Sequence, residues 1–231
     1  AKELSRYRVD IAALSETRLA CYDSLVDCGY TFFRSGKTEQ ERRESGVGFA
    51  IRNNIVNLLE QDPSPVSDRI MTMRLPLEKN FCATIISVYA PTMTNPEEIK
   101  EGFNSQLREI LSKVPRKDKL ILAGDVNARV GCEDKWDRVI RSHGTGKCNS
   151  NGEMLLALCS EFGLVITNMV FMHKEHHKVT WMHPQSKHWH LLDYVITRKD
   201  DQNDVNDTRV MRGADCGTDH QMVRSRVSFS V

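Results

Sequence analysis

With 231 residues, 40% of them hydrophobic and 27% charged, the chain is long enough to bury a substantial core and too apolar to be a disordered segment. Its 32 Lys+Arg against 31 Asp+Glu leave a formal net charge of +1, which excludes a uniformly basic nucleic-acid coat, so a nucleic-acid partner would need a local basic groove. Seven cysteines without a C-x-x-C pair argue against a disulfide framework and for free thiols in a reducing compartment, and no apolar run approaches the ~18 residues of a membrane span. Residues Ala1–Tyr7 read as the tail of a helix feeding a strand at Val9–Leu14. Further β-branched runs of strand length follow at Gly46–Ile51, Ile70–Leu75, Cys82–Tyr89, Leu120–Ala123, Leu164–Ile166, Leu191–Thr197 and Met222–Phe229. Two helices lie between them. One opens at Asn95-Pro96-Glu97-Glu98, with Asn95 as N-cap and proline at the first helical position, and carries Ile99, Phe103, Leu107, Ile110 and Leu111 at helical spacing. The other opens at Ser150-Asn151-Gly152-Glu153, a capping box, and runs through Met154, Leu155, Leu158 and Phe162. Lys37–Glu44 reads as a solvated loop and Arg198–Asp207 as a flexible surface connection. Composition shows no linker or repeat, so residues 1–231 are expected to form a single domain. Many strands and few helices point to an α/β fold with two packed sheets.

Isolated acids stand where apolar runs end. Glu16 follows Ile11–Leu14; Gly124-Asp125-Val126-Asn127 ends Leu120–Ala123; Asp193 sits inside the apolar stretch Leu191–Ile196; Asp219-His220 precedes the last strand. Tyr89 closes another strand just ahead of Ala90-Pro91-Thr92. Hydrolysis of a phosphodiester needs these types: carboxylates for a hard divalent cation, a base for water, and phenol, amide and imidazole donors for the developing charge. Singly each has a plainer explanation, such as a solvated strand end for Glu16 or an Asx turn for Asp125. Six of the eight histidines, His173, His176, His177, His183, His188 and His190, are interleaved with Lys174, Lys178, Lys187, Trp181 and Trp189. Their irregular spacing, with no cysteine among them, fits a loop flanking a groove better than a zinc site.

Taken in order, these segments resemble the endonuclease/exonuclease/phosphatase superfamily across nearly the whole chain. The resemblance is greatest to the apurinic-type endonuclease domain of RTE-type non-LTR retrotransposons and to the craniofacial development protein 2 group. Ala13–Arg18, Val88–Thr92, Asn151-Gly152, Asn168, Thr180-Trp181 and Leu192–Ile196 carry it. It implies a DNase I-like, four-layer sandwich of two packed mixed β-sheets flanked by helices, acting as an Mg²⁺-dependent nicking endonuclease, with Mn²⁺ as a substitute. Glu16 and Asp219 would serve the metal, and Asp125 and Asn127 the attacking water. Tyr89 and His220 would contact the phosphate, with Asp193 fixing the His220 tautomer and raising its basicity. Thr92, Arg18, Trp181 and Lys187 would touch DNA.

The family also places a strand with an asparagine ahead of the helix that Ala1–Tyr7 completes. That strand lies outside this sequence, so the domain is expected to be N-terminally truncated, and a longer form to be more stable and more active. Expected partners are double-stranded DNA, bound by phosphate contacts and therefore weakened by salt, and a parent polypeptide carrying a reverse transcriptase or a host domain. The chain is expected to be a monomer, intracellular and nuclear, with no membrane association. Two alternatives stay open: a phosphatase of the same fold, and a catalytically idle domesticated interaction module.

Overall fold

The short β-branched runs fold as strands in the computed structural model, which describes residues 1–132, 136, 139–140 and 146–229. The architecture is α/β, with mixed and antiparallel sheets and few helices. It divides into two units, one built from Ala1–Ala90 and Val114–Asp125, the other from Pro91–Lys113 and Val126–Phe229. Among the described residues no helix is long and apolar enough to cross a membrane.

In the first unit, α1 (Lys2–Arg6) leads into β1 (Ile11–Ser15), followed by β2 (Asp23–Asp27), β3 (Tyr30–Ser35) and β4 (Val47–Arg52). These form an antiparallel sheet in the order β1-β4-β3-β2. After α2 (Asn53–Val56) come β5 (Ser64–Pro65), β6 (Ile70–Pro76), β7 (Cys82–Tyr89) and β8 (Lys119–Asp125). β6 pairs antiparallel with β7, and β7 pairs parallel with β8, so this sheet is mixed. β1 and β4 pack against β6 and β7, sheet on sheet as expected. Phe49, Ile51, Ile70, Met71, Ile86, Leu120 and Leu122 are all below 2% exposure. Each such side chain contributes ~1.5–3 kcal/mol before its ordering entropy is subtracted. β7 is buried almost throughout, which is why it reads as a continuous apolar run instead of alternating.

The β2–β3 hairpin has no counterpart among the expected strands. β2 (DSLVD) is exposed at every position and so shows no core-facing alternation. Its two-residue turn, Cys28-Gly29, has φ of 45° and 84°, the paired left-handed conformation that matches strand twist.

The second unit holds α3 (Glu97–Lys113), α4 (Ser150–Glu161), β9 (Leu164–Ile166), β10 (Trp181–Met182), β11 (Trp189–His190), β12 (Asp193–Arg198), β13 (Val205–Val210) and β14 (Val223–Val227). β9 pairs with β12, β10 with β11, and β13 with β14, all antiparallel. Leu107, Leu156, Leu158 and Tyr194 anchor its core.

Several local expectations change here. Asn95 does not cap α3: its Oδ1 accepts hydrogen bonds from Thr92 N–H (2.8 Å) and Thr92 Oγ1 (3.0 Å). Ile99 is 47% exposed, while Lys100 lies buried beside Glu97. The cap of α4 is Asn149 in place of Ser150, its side chain accepting from Gly152 N–H at 2.8 Å. The segment taken as a flexible connection, Arg198–Asp207, is ordered: a 3₁₀ turn over Lys199–Asp204 enters β13, whose Val205, Thr208 and Val210 are buried. A bulge between Val205 and Asp207 breaks the period-two pattern, so sequence periodicity misses this strand. Asp193 begins β12; it does not interrupt an apolar strand.

Candidate active site

Three candidate residues lie at strand ends of the first unit. Glu16 leaves β1 in a left-handed conformation (φ 52°), rarely adopted without glycine. The turn is held by Thr17 N–H to Gly46 O (3.1 Å) and Arg18 N–H to Ser45 O (3.0 Å). Arg18 donates from Nε to Glu16 Oε1 at 3.1 Å and pairs with it again through Nη2. Tyr89 closes β7 at 5% exposure and sits in register with Asp125, the last residue of β8. Burial pushes the Tyr89 phenol up to about 12, and the nearby Glu16 and Asp125 carboxylates add to the rise against the opposing pull of Arg69 and Arg18. At neutral pH the phenol is therefore a proton donor. The Arg69 guanidinium lies 5.2 Å from the Tyr89 ring centroid and donates to Tyr89 O at 3.3 Å.

Gly124 sets the approach of β8 to β7. Its φ is 141°, and a Cβ there would stand 2.0 Å from Val88 O. Only glycine fits. Asp125 then donates its N–H to Ser15 Oγ (3.0 Å) and accepts from Ala90 N–H (2.9 Å).

The second unit takes over at Val126, whose N–H donates to Leu192 O at 3.0 Å. Asn127 follows with φ 48°, and its carbonyl accepts from Asn151 Nδ2 at 3.0 Å. The same Nδ2 donates to Pro91 O at 3.0 Å, so one buried amide at the start of α4 ties down two loops. Asp193 is fixed by its backbone. Thr180 Oγ1 accepts from Leu192 N–H (3.0 Å) and Asp193 N–H (3.4 Å). Asn168 donates to Asp193 O (3.1 Å) and accepts from Val195 N–H (2.9 Å). The carboxylate so held meets His220: Asp193 Oδ2 lies 2.8 Å from Nδ1, with both side chains about one-fifth exposed at 19% and 20%. A neutral ring in that contact carries its proton on Nδ1 and its lone pair on Nε2.

Trp181 supports the same corner. Its indole N–H donates to Asp219 Oδ2 at 2.8 Å, its backbone bridges to His220, and its ring stands 5.6–6.3 Å from those of His183, His190 and His220. It thus buttresses Asp219 and His220. Lys187 lies exposed in the β10–β11 turn, its N–H donating to His183 O. Thr92 spends its hydroxyl on Asn95 and Thr94.

Each unit therefore presents carboxylates, Glu16 and Asp125 at strand ends in one, Asp193 at the start of β12 and Asp219 in the loop ahead of β14 in the other; carboxylate oxygens are the donors a hard cation takes. Asp193 meets His220 at 2.8 Å, and Tyr89 and Asp125 end neighbouring strands in register, with the Glu16 carboxylate near the Tyr89 phenol. Sequence reasoning gave no role to Ser15, Arg69, Asn151, Asn168 or Thr180. Ser15, Asn151, Asn168 and Thr180 belong to the motifs that carry the resemblance, while Arg69 acts through the Tyr89 carbonyl and ring, contacts that leave no periodic signature.

A family model described as endonuclease-reverse transcriptase matches residues 83–224. Craniofacial development protein 2 from Bos taurus is 29% identical over 222 residues, and that from Tragulus javanicus 28%. The match takes in 96% of this chain but spans only 37% and 38% of those relatives' length. Among solved structures, the endonuclease domain of TRAS1, a telomere-specific non-LTR retrotransposon, superposes with a TM-score of 0.64 at 17% identity. That superposition covers 98% of this chain and 89% of the other. The AP endonuclease LMAP from Leishmania major gives 0.70 at 16%, covering 97% and 80%. The 3′ phosphatase NExo from Neisseria, bound to a product DNA hairpin, gives 0.69 at 19%, covering 98% and 92%. These likenesses establish the endonuclease/exonuclease/phosphatase-type fold.

Proposed function

The chain belongs to the endonuclease-reverse transcriptase family, and from that premise we propose that it nicks double-stranded DNA by Mg²⁺-dependent phosphodiester hydrolysis. The observation that carries this reading is the group at the strand ends of the first unit. Two carboxylates, Glu16 and Asp125, lie near enough to Tyr89 to help keep its phenol protonated. Carboxylates beside a phenol donor suit a cation and a phosphate arriving together. Glu16 and Asp219 would hold the ion, and Mn²⁺ would serve in its place. Bound there, it would withdraw charge from a non-bridging phosphate oxygen. Asp125 would accept the proton of the attacking water and Asn127 would orient that water. Tyr89 would donate to the phosphate. His220 would donate from Nε2 once its ring carries both protons, with Nδ1 facing the Asp193 carboxylate at 2.8 Å. The fold neighbours include DNA-processing enzymes, which supports a DNA substrate. A monomer, a nuclear location and a parent polypeptide bearing further domains belong to the same proposal.

The test is nicking of supercoiled plasmid in Mg²⁺ against EDTA, with Glu16→Ala and Asp125→Ala, beside an assay for free phosphate release. Metal-dependent nicking lost in both variants supports the reading; phosphate release without nicking would replace it with a phosphatase. One feature favours a third reading, an idle interaction module: Arg18 already pairs with Glu16 Oε1. That reading wins if no metal supports cleavage and His220→Ala leaves nucleic-acid binding unchanged.

A further inference from the structure

Three strands of the first unit deliver candidate groups at their ends: β1 delivers Glu16, β7 delivers Tyr89 and β8 delivers Asp125. β7 and β8 are neighbours in one sheet, so ladder hydrogen bonds set their relative position. β1 belongs to the other sheet. Sheets that meet only through apolar side chains can slide by fractions of an ångström at little cost, because dispersion contacts are numerous and undirected. Something directional has to fix the β1 terminus against the other two.

Ser15 makes that connection. Its Oγ donates to Val88 O at 2.9 Å and accepts from Asp125 N–H at 3.0 Å. Val88 directly precedes Tyr89, and Ser15 directly precedes Glu16. One hydroxyl, used as donor and acceptor at once, therefore touches the backbone of both β7 and β8 at the residues bearing or adjoining the candidate groups. The contact is possible because Gly124 lets the β8 backbone reach Val88 O, where a Cβ would stand 2.0 Å away. Glu16 then turns away at φ 52°, so a small shift of Ser15 would be passed directly to the carboxylate. The far end of the same strands has a different lock. There Arg74 and Thr84 hold the buried Asp118 carboxylate at 2.7–3.1 Å, and none of those groups borders Glu16, Tyr89 or Asp125 in sequence.

We infer that Ser15 is a positioning residue: its hydroxyl pins the Glu16 turn to the ends of β7 and β8 and so sets the spacing of Glu16, Tyr89 and Asp125. The inference rests on the nuclease reading above. Misplacing reacting groups by about 1 Å typically costs ~10²-fold in rate. Ser15→Ala should lower kcat for Mg²⁺-dependent plasmid nicking by roughly 10- to 100-fold, with KM for DNA changed less than about twofold. Ser15→Thr keeps a hydroxyl and should recover most of the rate. Thr84→Val serves as the structural control, since it cuts a hydrogen bond at the far end of β7 and should lower Tm without lowering kcat.

A hydroxyl that merely strengthens the fold would give the opposite pattern. If Ser15→Ala keeps kcat within twofold, or Thr84→Val lowers kcat as much for the same loss of Tm, the inference is overturned. If the wild-type chain nicks nothing, the nuclease reading falls, and hydrogen exchange of the Asp125 amide decides about Ser15. Exchange accelerated about 10-fold or more in Ser15→Ala, with the middle of β8 unchanged, supports the pin, and unchanged exchange removes it.

Discussion

Replacing Asp193 by asparagine removes one negative charge and little else. The backbone of residue 193 is held by Thr180 and Asn168, and those bonds survive the change, so Tm should move by only a few degrees. The carboxylate stands 2.8 Å from His220 Nδ1. With charge centres ~4 Å apart and an effective dielectric of about 20, an imidazolium and a carboxylate attract by ~4 kcal/mol. Both side chains are about one-fifth exposed, and the asparagine amide keeps a dipolar contact, so about half of that attraction is lost. A loss of ~2 kcal/mol in the state with charged His220 corresponds to a fall of about 30-fold in kcat. Single-turnover nicking of supercoiled plasmid at saturating Mg²⁺ measures it. Asp193 acts through His220, so Asp193→Asn combined with His220→Ala should be no slower than His220→Ala alone. Effects that multiply in the double variant, or an Asp193→Asn enzyme within twofold of wild type, would refute the coupling.

Tyr89→Phe should cost about 10- to 100-fold in kcat by removing one phosphate donor. Because the phenol is pushed up to about 12, the wild-type pH–rate profile should show no loss from Tyr89 ionisation below about pH 10; an alkaline limb there that vanishes in Tyr89→Phe would contradict the assignment. Gly124→Ala should destabilise the fold by about 3 kcal/mol or more, read from urea denaturation, because its Cβ meets a backbone carbonyl in a conformation reserved for glycine. Asp118 gives an acid-side signature. Burial would raise its carboxyl, but hydrogen bonds from Arg74 and Thr84 outweigh it and hold the group below its ordinary value. Its contribution is therefore present above the unfolded carboxylate range and disappears as pH falls through the lower folded value. Asp118→Asn should flatten the acid limb of the stability curve below about pH 4, measured as denaturation midpoint against pH.

The strands that pack against a core on both faces were legible in the sequence, since β4, β6, β7, β8 and β12 read as apolar runs. Strands whose stability comes from hydrogen-bonded pairing were not. β2 is exposed throughout, and β13 hides its alternation behind a bulge at Asp207. Glu16 and Asp125 stood out because each follows a run of apolar residues, and Asp193 because apolar residues flank it on both sides. The polar groups that hold them did not: Ser15, Thr180 and Asn168 are ordinary residues whose roles depend on partners as far apart as Ser15 and Asp125. Helix starts were displaced for a related reason. Asn95 and Asn149 compete with their neighbours as local acceptors, and which one wins depends on where the chain arrives from.

The tight turn joining β2 to β3 has a practical side. Cys28 occupies a backbone state that cysteine tolerates poorly and asparagine tolerates well, and its thiol is exposed. Cys28→Asn would create the Asn-Gly pair such turns favour and would delete a point of oxidation and cross-linking during purification. Because Asp23–Asp27 is exposed along its whole length, the exchange disturbs no packed neighbour there, which makes the loop a sensible place to begin when preparing the protein for crystals or spectroscopy.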